Sequence, residues 1–469
     1  MTDADLAFAD VVELQRLLSA RRVSSLELTN LYLARLERYG PAYNGVVTIL
    51  HERARREARR ADRERARGLV RGPLHGIPYG VKDLLATPDA PTTWGAQPYR
   101  TQRFPFDATV VRKLSDAGAV LLAKLAMVEL AGGFGYNDAD ASFTGPGRTP
   151  WNRDYWSGGS SSGSGIAVAA GLVGFAIGSE TSGSILFPST ACGITGLRPT
   201  YGRVSRHGAM ALCWSLDKLG PMARSVEDTL LVLDAITGPD AGDTGSVPSH
   251  LDFDAAAPVR GLRVGYFPQW MQEAPATPVD RAALATAAQL GMTPVAVSLP
   301  DWPWDDLEII LFAEAAAAFE ELTLSRQVDE LRVQTPDAWP NTFRQARFLS
   351  AVDMVQADRM RRKAANEMAR IFSQVDLLLV PSLRDEMLTI TNFTGHPSLT
   401  LRTGFVEVSE ARSDWAPDPA HPLPKFSPPR RVPHGVTLLA RPFEEGMLGS
   451  AGLALERRCN VMGEHPPGF

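Results

Sequence analysis

The sequence is poor in cysteine and has no long apolar run. Its 469 residues include only three cysteines, Cys192, Cys213 and Cys459, which are far apart and form no C-x-x-C pair. This spacing excludes a disulfide framework and a thiolate metal site, and it favours a reducing compartment. The longest nearly apolar run, 165–178, is too short to span a bilayer, and the N-terminus resembles no export signal. We therefore expect a cytoplasmic protein that does not enter a membrane.

The chain also lacks a strong excess of charge of either sign. The 48 Lys and Arg residues and the 53 Asp and Glu residues leave a formal net charge of -5. That balance argues against a nucleic-acid-binding protein and against a polybasic protein that binds membranes. The expected partners are therefore small molecules or other proteins. A homodimer is one of the possibilities. The dense Arg/Glu run at 51–71 mixes both signs at i,i+4 spacing, which is typical of a solvated helix. Only six of the 48 basic residues are lysine.

The hydrophobic pattern predicts one large α/β domain, with a central mixed sheet covered by helices on both faces. Strand and helix patterns alternate from 107 to about 225, and 44% of the residues are hydrophobic. We expect the strands and helices at the following positions: strands at 119–122, 173–177, 262–266 and 375–381, a strand pair formed by 399–405 and 436–440, and helices at 25–39, 109–117, 166–172 and 307–328. The Pro-rich segment 406–433 is predicted to be an excursion, either a mobile loop or a flap over a site.

Three short segments combine residue types that carry chemistry. Gly72–Asp83 ends in Lys82 and Asp83, and two glycine-serine loops follow at Gly158–Gly165 and Gly178–Pro188. Glycines allow consecutive backbone N–H groups to converge on an oxyanion, and serines supply hydroxyls for attack and proton relay. A serine hydroxyl needs a neighbouring base near neutral pH. Together the segments supply the groups that a serine nucleophile needs.

Lys82 is the candidate base because arginine does not deprotonate, whereas a desolvated lysine does. Lowering a lysine pKa from roughly 10.4 to near 7 requires about 3 units, or roughly 4 to 5 kcal/mol, which a buried site can supply. A structural ion pair of Lys82 with Asp83 or Glu180 is the competing interpretation. Because two serine loops accompany Lys82, we favour the interpretation that it is catalytic.

These segments resemble the amidase signature family, whose members hydrolyse C–N bonds with a Ser-cisSer-Lys triad. The family's lysine lies in a G-x-P-x-x-x-K-D segment like 76–83, its relay serine is the first serine of G-G-S-S, and its nucleophile follows 24 residues later. The resemblance therefore implies Lys82 as base, Ser160 as relay and Ser184 as nucleophile. It extends over essentially the whole chain, is most specific at 72–228 and is weakest at about 240–370.

The same resemblance implies the rest of the site. The backbone N–H groups of Thr181, Ser182, Gly183 and Ser184 would form the oxyanion hole, and Phe134 would line the substrate channel. No metal or organic cofactor is required. Two departures from the family pattern concern this loop: Ser182 stands where glycine is usual, and Glu180 where aspartate is usual.

Two other serine motifs are weaker candidates. Residues 159–163 match the G-x-S-x-G nucleophile elbow, which would make Ser161 the nucleophile with Asp385 and His396 or His434 as partners. That motif requires a preceding strand, and 151–156 is polar and turn-like. Ser215 to Lys218 matches S-x-x-K, but no K-T-G or S-D-N follows, so we interpret Lys218 as structural.

The sequence thus predicts a hydrolase that cleaves carboxamides through a seryl acyl-enzyme, with aryl amides, carbamates (urethanes) and esters as related substrates. A glutamine-dependent amidotransferase subunit that delivers ammonia to a partner is the main alternative. The segment 334–361 lacks the G-x-E-V-K-R-R-I sequence of those subunits, which favours a free-standing amidase. A non-catalytic binding module is disfavoured because Lys82, Ser160 and Ser184 are all present.

Overall fold

The centre of the structure is a large mixed β-sheet. The structure, a computed structural model, describes residues 2–132, 141–382, 384–411, 422 and 424–469. The strands in these residues are β1 (Val46–Ile49), β2 (Pro78–Lys82), β3 (Val120–Leu125), β4 (Arg148–Thr149), β5 (Asn152–Trp156), β6 (Phe175–Glu180), β7 (Thr195–Arg198), β8 (Lys218–Ala223), β9 (Arg263–Tyr266), β10 (Thr293–Ala296), β11 (Leu377–Pro381), β12 (Ser398–Glu410) and β13 (Lys425–Ala440). Among the described residues, eleven strands form one sheet in the order β1-β3-β2-β6-β8-β7-β12-β13-β11-β9-β10, while β4 and β5 form a separate hairpin.

The sheet contains both parallel and antiparallel pairs, as predicted. β2 is parallel to both of its neighbours, β3 and β6, and β9 is parallel to β10 and β11. The pairs from β6 through β8, β7, β12 and β13 to β11 are antiparallel. Because β2 and β6 are parallel neighbours, their carboxyl ends meet at one edge of the sheet. Lys82 and Glu180 are the last residues of these two strands.

Helices flank this sheet, and the described residues form a single domain with one principal hydrophobic core. The helices are α1 (Asp3–Phe8), α2 (Val11–Ser19), α3 (Ser25–Tyr43), α4 (His51–Ala66), α5 (Thr109–Asp116), α6 (Ser162–Ala169), α7 (Leu186–Cys192), α8 (Val226–Ile236), α9 (Pro278–Gln289), α10 (Glu308–Ala318), α11 (Glu320–Leu324), α12 (Trp339–Ala346), α13 (Ala351–Phe372), α14 (Asp385–Phe393) and α15 (Glu445–Cys459). None of the helices in the described residues has the length and apolar character needed to cross a membrane.

Local sequence explains several helix positions. Ser24 and Glu27 form the expected capping box at the start of α3, where each side chain accepts a hydrogen bond from the other residue's backbone N–H. The Arg/Glu run forms α4, as predicted. One arginine of this run is buried, however: Arg53 donates hydrogen bonds to Glu57 and Asp107, so this part of the helix is tied to the core.

The expectation of one long helix at 307–328 is wrong. The segment forms α10 and α11, which are separated at Phe319, where φ is -111° and ψ is 29°. The break turns the Phe319 ring into the core, where it stacks on Phe343 with 5.3 Å between the ring centroids. Tertiary packing of an aromatic side chain therefore overrides the local helix propensity.

The Pro-rich segment 406–433 is mostly not the irregular excursion that the sequence predicted. Strands β12 and β13 pair at 399–401 and 436–438 as expected, but they continue as a hairpin, with Val406 opposite Val432 and Val408 opposite Arg430. Prolines are tolerated in strands where no ladder hydrogen bond is lost, as at sheet edges and bulges. Residues 412–421 and 423, and with them the prediction of a flap, lie outside the described residues.

Candidate active site

The predicted catalytic residues come from three separate parts of the chain. Lys82 ends β2, Ser160 lies between β5 and α6, and Ser184 lies between β6 and α7. All three side chains are buried, with exposures of 0%, 0% and 1%. The Ser161 N–H donates to the Ser184 carbonyl oxygen at 3.2 Å, which places the two serine loops side by side. The predicted channel residue Phe134 lies outside the described residues.

The Lys82 amine is surrounded by hydroxyl groups. Its Nζ lies 2.7 Å from Ser160 Oγ and 2.8 Å from Ser179 Oγ, and the Ser179 carbonyl oxygen is at 3.4 Å. The Gly159–Ser160 peptide bond is cis. The structural ion pairs considered for this lysine are formed by other residues. Asp83 pairs with Lys124 at 2.9 Å, and Glu180 pairs with Arg198 at 2.8 Å.

The environment of Lys82 favours the neutral amine. Burial holds the pKa of the Lys82 amine well below its ordinary value of 10.5, because the interior solvates an ammonium group poorly. The negative charges of Asp217 and Glu180 act in the opposite direction, but they do not offset burial. A buried neutral amine next to a serine hydroxyl can accept a proton from that hydroxyl.

The loop that leads to Ser184 is held at its beginning by a side-chain contact. Thr181 Oγ1 donates to Asp217 Oδ1 at 2.6 Å. Gly183 has φ of +84°, a conformation that favours glycine. Among the described residues, eight non-glycine residues have a positive φ, and Ser182 is not one of them. The serine that replaces the family's usual glycine therefore needs no left-handed backbone.

Glu180 fixes the other end of this loop. Its Oε2 accepts hydrogen bonds from the backbone N–H groups of Ile185 and Leu186, at 2.8 and 3.0 Å, where α7 begins. Its Oε1 accepts from Arg198 and from Asn392 Nδ2. Burial alone would raise the pKa of the Glu180 carboxyl, but Arg198 and the backbone donors outweigh burial and lower it. The charged carboxylate thus caps the helix that follows Ser184.

A cleft of about 210 Å³ lies beside these residues. Its wall includes Ser179, which contacts Lys82, and Thr181, the first residue of the predicted oxyanion loop. The remainder of the wall combines apolar side chains with the polar side chains of Arg206, Asp217 and Asp243, and Trp214 contributes to it with half of its surface exposed. Among the described residues, no group of three His, Cys, Asp or Glu side chains is arranged to hold a metal ion.

The alternative serine motifs receive less support from the structure. A strand, β5, does precede the G-x-S-x-G segment, contrary to the prediction of a turn-like stretch. Ser161 Oγ, however, donates to the Ser179 carbonyl oxygen at 3.1 Å. The two candidate histidines have other partners: His434 contacts Asp280 and His396 contacts Thr394. The local geometry does not join Ser161 to a base.

Lys218 is a second buried lysine near this site. Burial, reinforced by the positive charge of Arg198, lowers the pKa of Lys218 to about 7. Its Nζ donates to the backbone carbonyl of Leu216. Ser215, the serine of its S-x-x-K motif, donates its backbone N–H to Glu314. These contacts agree with a structural role.

Sequence reasoning missed two side chains that contribute to the site. Ser179 contacts the Lys82 amine, and Asp217 anchors Thr181. Ser179 lies near the end of β6, the parallel neighbour of the strand that ends in Lys82, and the sequence did not predict this pairing. Asp217 is 36 residues away from Thr181 in the chain, and only the fold brings the two together.

Comparisons with known proteins place this arrangement in a family. The family model described as Amidase matches residues 27–448. "Putative amidase AmiD" of Mycobacterium tuberculosis is 35% identical, with 100% of each chain covered. The A-type subunit of the glutamyl-tRNA(Gln) amidotransferase of Anaeromyxobacter sp. (strain K) is 34% identical, with 96% of each chain covered. The structure of the native peptide amidase from Stenotrophomonas maltophilia has a TM-score of 0.81 and 29% identity, with 98% of each chain covered. With a family model that matches most of its length and relatives that align from end to end, the chain belongs to the amidase signature family, as its motifs predicted.

Proposed function

We propose that the protein hydrolyses carboxamide C–N bonds through an acyl-enzyme on Ser184, with Lys82 as the base and Ser160 as the relay. Membership of the amidase family supports the cleavage of amides in general. The observation that carries the finer proposal is the Lys82 amine, which is fully buried and lies within 2.8 Å of two serine hydroxyls. A lysine that served only as a charge would be expected to have a carboxylate partner.

The hydrogen-bond donors and acceptors around Lys82 suggest a direction for proton transfer. A neutral amine has two N–H donors and one lone pair, and a carbonyl oxygen such as that of Ser179 can only accept. In this scheme the amine donates toward Ser179, and its lone pair accepts the proton of the Ser160 hydroxyl. Ser160 in turn accepts the proton of Ser184 as that serine attacks the substrate carbonyl carbon.

The remaining steps follow from the same groups. The C–O bond to Ser184 forms, and the carbonyl electrons move to oxygen, where the backbone N–H groups of 181–184 would stabilise the oxyanion. The intermediate collapses as the C–N bond breaks, and the proton held by Lys82 returns through Ser160 to the leaving amine. Water then attacks the acyl-enzyme by the same route and releases the acid and Ser184.

Several carbonyl substrates are compatible with this scheme. Aryl amides, carbamates and aryl esters present a carbonyl carbon to the same nucleophile, so they are proposed as further substrates. Binding energy in the cleft, rather than the catalytic residues, would rank them.

A second candidate function is that of an amidotransferase A-type subunit, which would pass ammonia from glutamine to a partner protein. It is favoured by the 34% identity to such a subunit over 96% of the chain. The missing G-x-E-V-K-R-R-I segment argues against it, because residues 334–361 carry no equivalent sequence.

The test is hydrolysis of an aliphatic amide, an anilide, an aryl carbamate, an aryl ester and glutamine by the wild type and Ser184→Ala, without a partner protein. Turnover of the amides that is lost in Ser184→Ala is the expected result. A phosphonylating probe should label the wild type at Ser184. Glutaminase activity that requires an added partner would instead establish the second candidate, and a Ser184→Ala variant that is still active would overturn the nucleophile assignment.

A further inference from the structure

The cleft beside Lys82 is lined in part by apolar side chains, and one of these is aromatic. Ser179, which contacts the proposed base, and Thr181, in the proposed oxyanion loop, line this cleft, and so does Trp214, which has 50% of its surface exposed. The apolar residues of its lining also include Leu84, Met210, Leu212 and Leu219. A large aromatic ring left half exposed in the lining of a cleft is available to a ligand.

The backbone around Trp214 is firmly held, so its ring is attached to a rigid base. The Trp214 carbonyl oxygen accepts hydrogen bonds from Tyr201 Oη at 2.7 Å and from Arg206 Nη1 at 2.5 Å. The residues on either side are also fixed, because the Cys213 thiol and the backbone N–H of Ser215 both donate to Glu314, at 3.1 and 2.9 Å. A rigid aromatic platform binds a flat group at a low cost in conformational entropy.

The charged groups of the cleft are already committed to partners within the protein. Arg206 donates to both carboxylate oxygens of Asp243, and its remaining terminal nitrogen donates to the carbonyl described above. The Asp217 carboxylate accepts one side-chain and two backbone hydrogen bonds. The His207 ring stacks on Phe106. A charged ligand entering the cleft would lose water without gaining a free counter-charge, and this is costly.

We propose that Trp214 is a specificity-determining residue on which the flat, uncharged part of an amide substrate stacks. The substrate class is uncharged carboxamides that carry an aryl group, and a zwitterion such as glutamine is discriminated against. The inference rests on the proposed function, since the cleft adjoins the proposed catalytic groups. It goes beyond that function by naming the residue that selects the substrate.

The experiment compares 4-phenylbutanamide, butanamide and glutamine as substrates of the wild type, Trp214→Ala and Trp214→Phe. In the wild type, kcat/KM for the aryl amide should exceed that for each of the other two by roughly tenfold or more. Trp214→Ala should remove most of this preference by raising KM for the aryl amide, so that kcat/KM falls much further for the aryl amide than for butanamide. Trp214→Phe should retain most of it. The hydrogen bonds at position 214 involve the backbone carbonyl, so these variants keep them.

The matched control is Phe348→Ala, which removes an aromatic ring that is 90% exposed and is not part of the cleft wall. It should leave all three kcat/KM values unchanged. The inference is overturned if the wild type does not prefer the aryl amide, or if Trp214→Ala reduces kcat/KM for butanamide and the aryl amide by the same factor.

A binding measurement separates this inference from the proposed function. The ketone 5-phenylpentan-2-one replaces the amide nitrogen of the aryl substrate with a methyl group, so it cannot be hydrolysed. Its binding to Ser184→Ala, measured by calorimetry, should weaken roughly tenfold when Trp214→Ala is added. Such weakening supports the role of Trp214 in substrate binding even if no amide is hydrolysed. In that case only the proposed hydrolytic function is contradicted. Equal binding of the ketone to both variants, or no binding to either, overturns the inference about Trp214.

Discussion

Lys82 and Lys124 lie on neighbouring parallel strands, and both are completely buried, yet their surroundings are opposite in kind. Lys124 on β3 forms an ion pair with Asp83 at 2.9 Å and donates a hydrogen bond to Thr92 Oγ1 at 2.8 Å, so its positive charge has a counter-charge. Lys82 on β2 has the hydroxyls of Ser160 and Ser179. Both lysines are buried, so the difference between them lies in the partner, which is a carboxylate for Lys124 and two hydroxyls for Lys82.

The titration of the two lysines reflects this difference. Burial lowers the pKa of both amines, but for Lys124 the Asp83 carboxylate works against that shift at direct contact. For Lys82 the opposing charges of Asp217 and Glu180 act without a direct ion pair, and the pKa falls well below its ordinary value. Lys124 is therefore suited to stability and Lys82 to proton transfer.

The largest expected effect is on activity. Lys82→Arg should lower kcat/KM for an amide substrate by about 10³-fold or more, because a guanidinium cannot act as a base. Steady-state kinetics on the purified variant measures this loss. Lys363→Arg on the surface of α13 is the matched control and should be fully active. A Lys82→Arg enzyme with near wild-type activity would contradict the base assignment.

The next effect is on stability and belongs to the other lysine. Lys124→Met should lower the free energy of unfolding by about 3 to 5 kcal/mol, because it leaves the buried Asp83 carboxylate without its cation. Urea denaturation measures the loss. Adding Asp83→Leu should recover part of it, since both charges are then absent. A loss below about 1 kcal/mol in the single variant would show that the ion pair is not what holds these strands.

A smaller effect is the pH dependence of stability at Lys82. Its pKa is lower in the folded protein than the ordinary 10.5, so between these two values the unfolded chain binds more protons. The contribution of Lys82 to the free energy of unfolding therefore increases as the pH rises across that interval. Lys82→Met should be more stable than the wild type at pH 7, and the difference should shrink toward pH 10.5. A difference that stays constant with pH would mean that Lys82 does not titrate abnormally.

The smallest effect concerns the second hydroxyl at Lys82. Ser179→Ala removes one hydrogen bond to the amine and should lower kcat by roughly 3- to 10-fold, with little change in KM. Ser164→Ala is a suitable control, because Ser164 is also buried but donates to a backbone carbonyl of β6. A loss as large as that of Lys82→Arg would indicate that Ser179, rather than Ser160, carries the proton.

The sequence predicted that Lys82 and Ser160 lie together, but not which other side chains hold the site in place. Lys82 and Ser160 were predicted as neighbours from the motifs, and their 2.7 Å separation agrees with that prediction. The mixed sheet and the pairing of β12 with β13 also follow from sequence patterns. These features depend on local periodicity and on short motifs, which a single sequence carries.

The remaining features depend on contacts between distant segments. Phe319, where the helix breaks, stacks on Phe343, and Thr181 is anchored by Asp217. Neither partner is marked by a local pattern, because each is chosen by the packing of the finished fold. The hairpin that extends into 406–433 was missed because its prolines signal turns in isolation, whereas pairing with the opposite strand decides the structure.

The parallel pairing of β2 with β6 determines when the site forms during folding. Lys82 and Ser179 are 97 residues apart in sequence and meet only when these two strands pair. Closing a connection of this length is a slow, non-local event in folding. A newly synthesised chain therefore contains all the residues of the site before folding brings them together. The onset of hydrolysis during refolding will report the completion of the central sheet, and a fragment that ends before β6 will be inert.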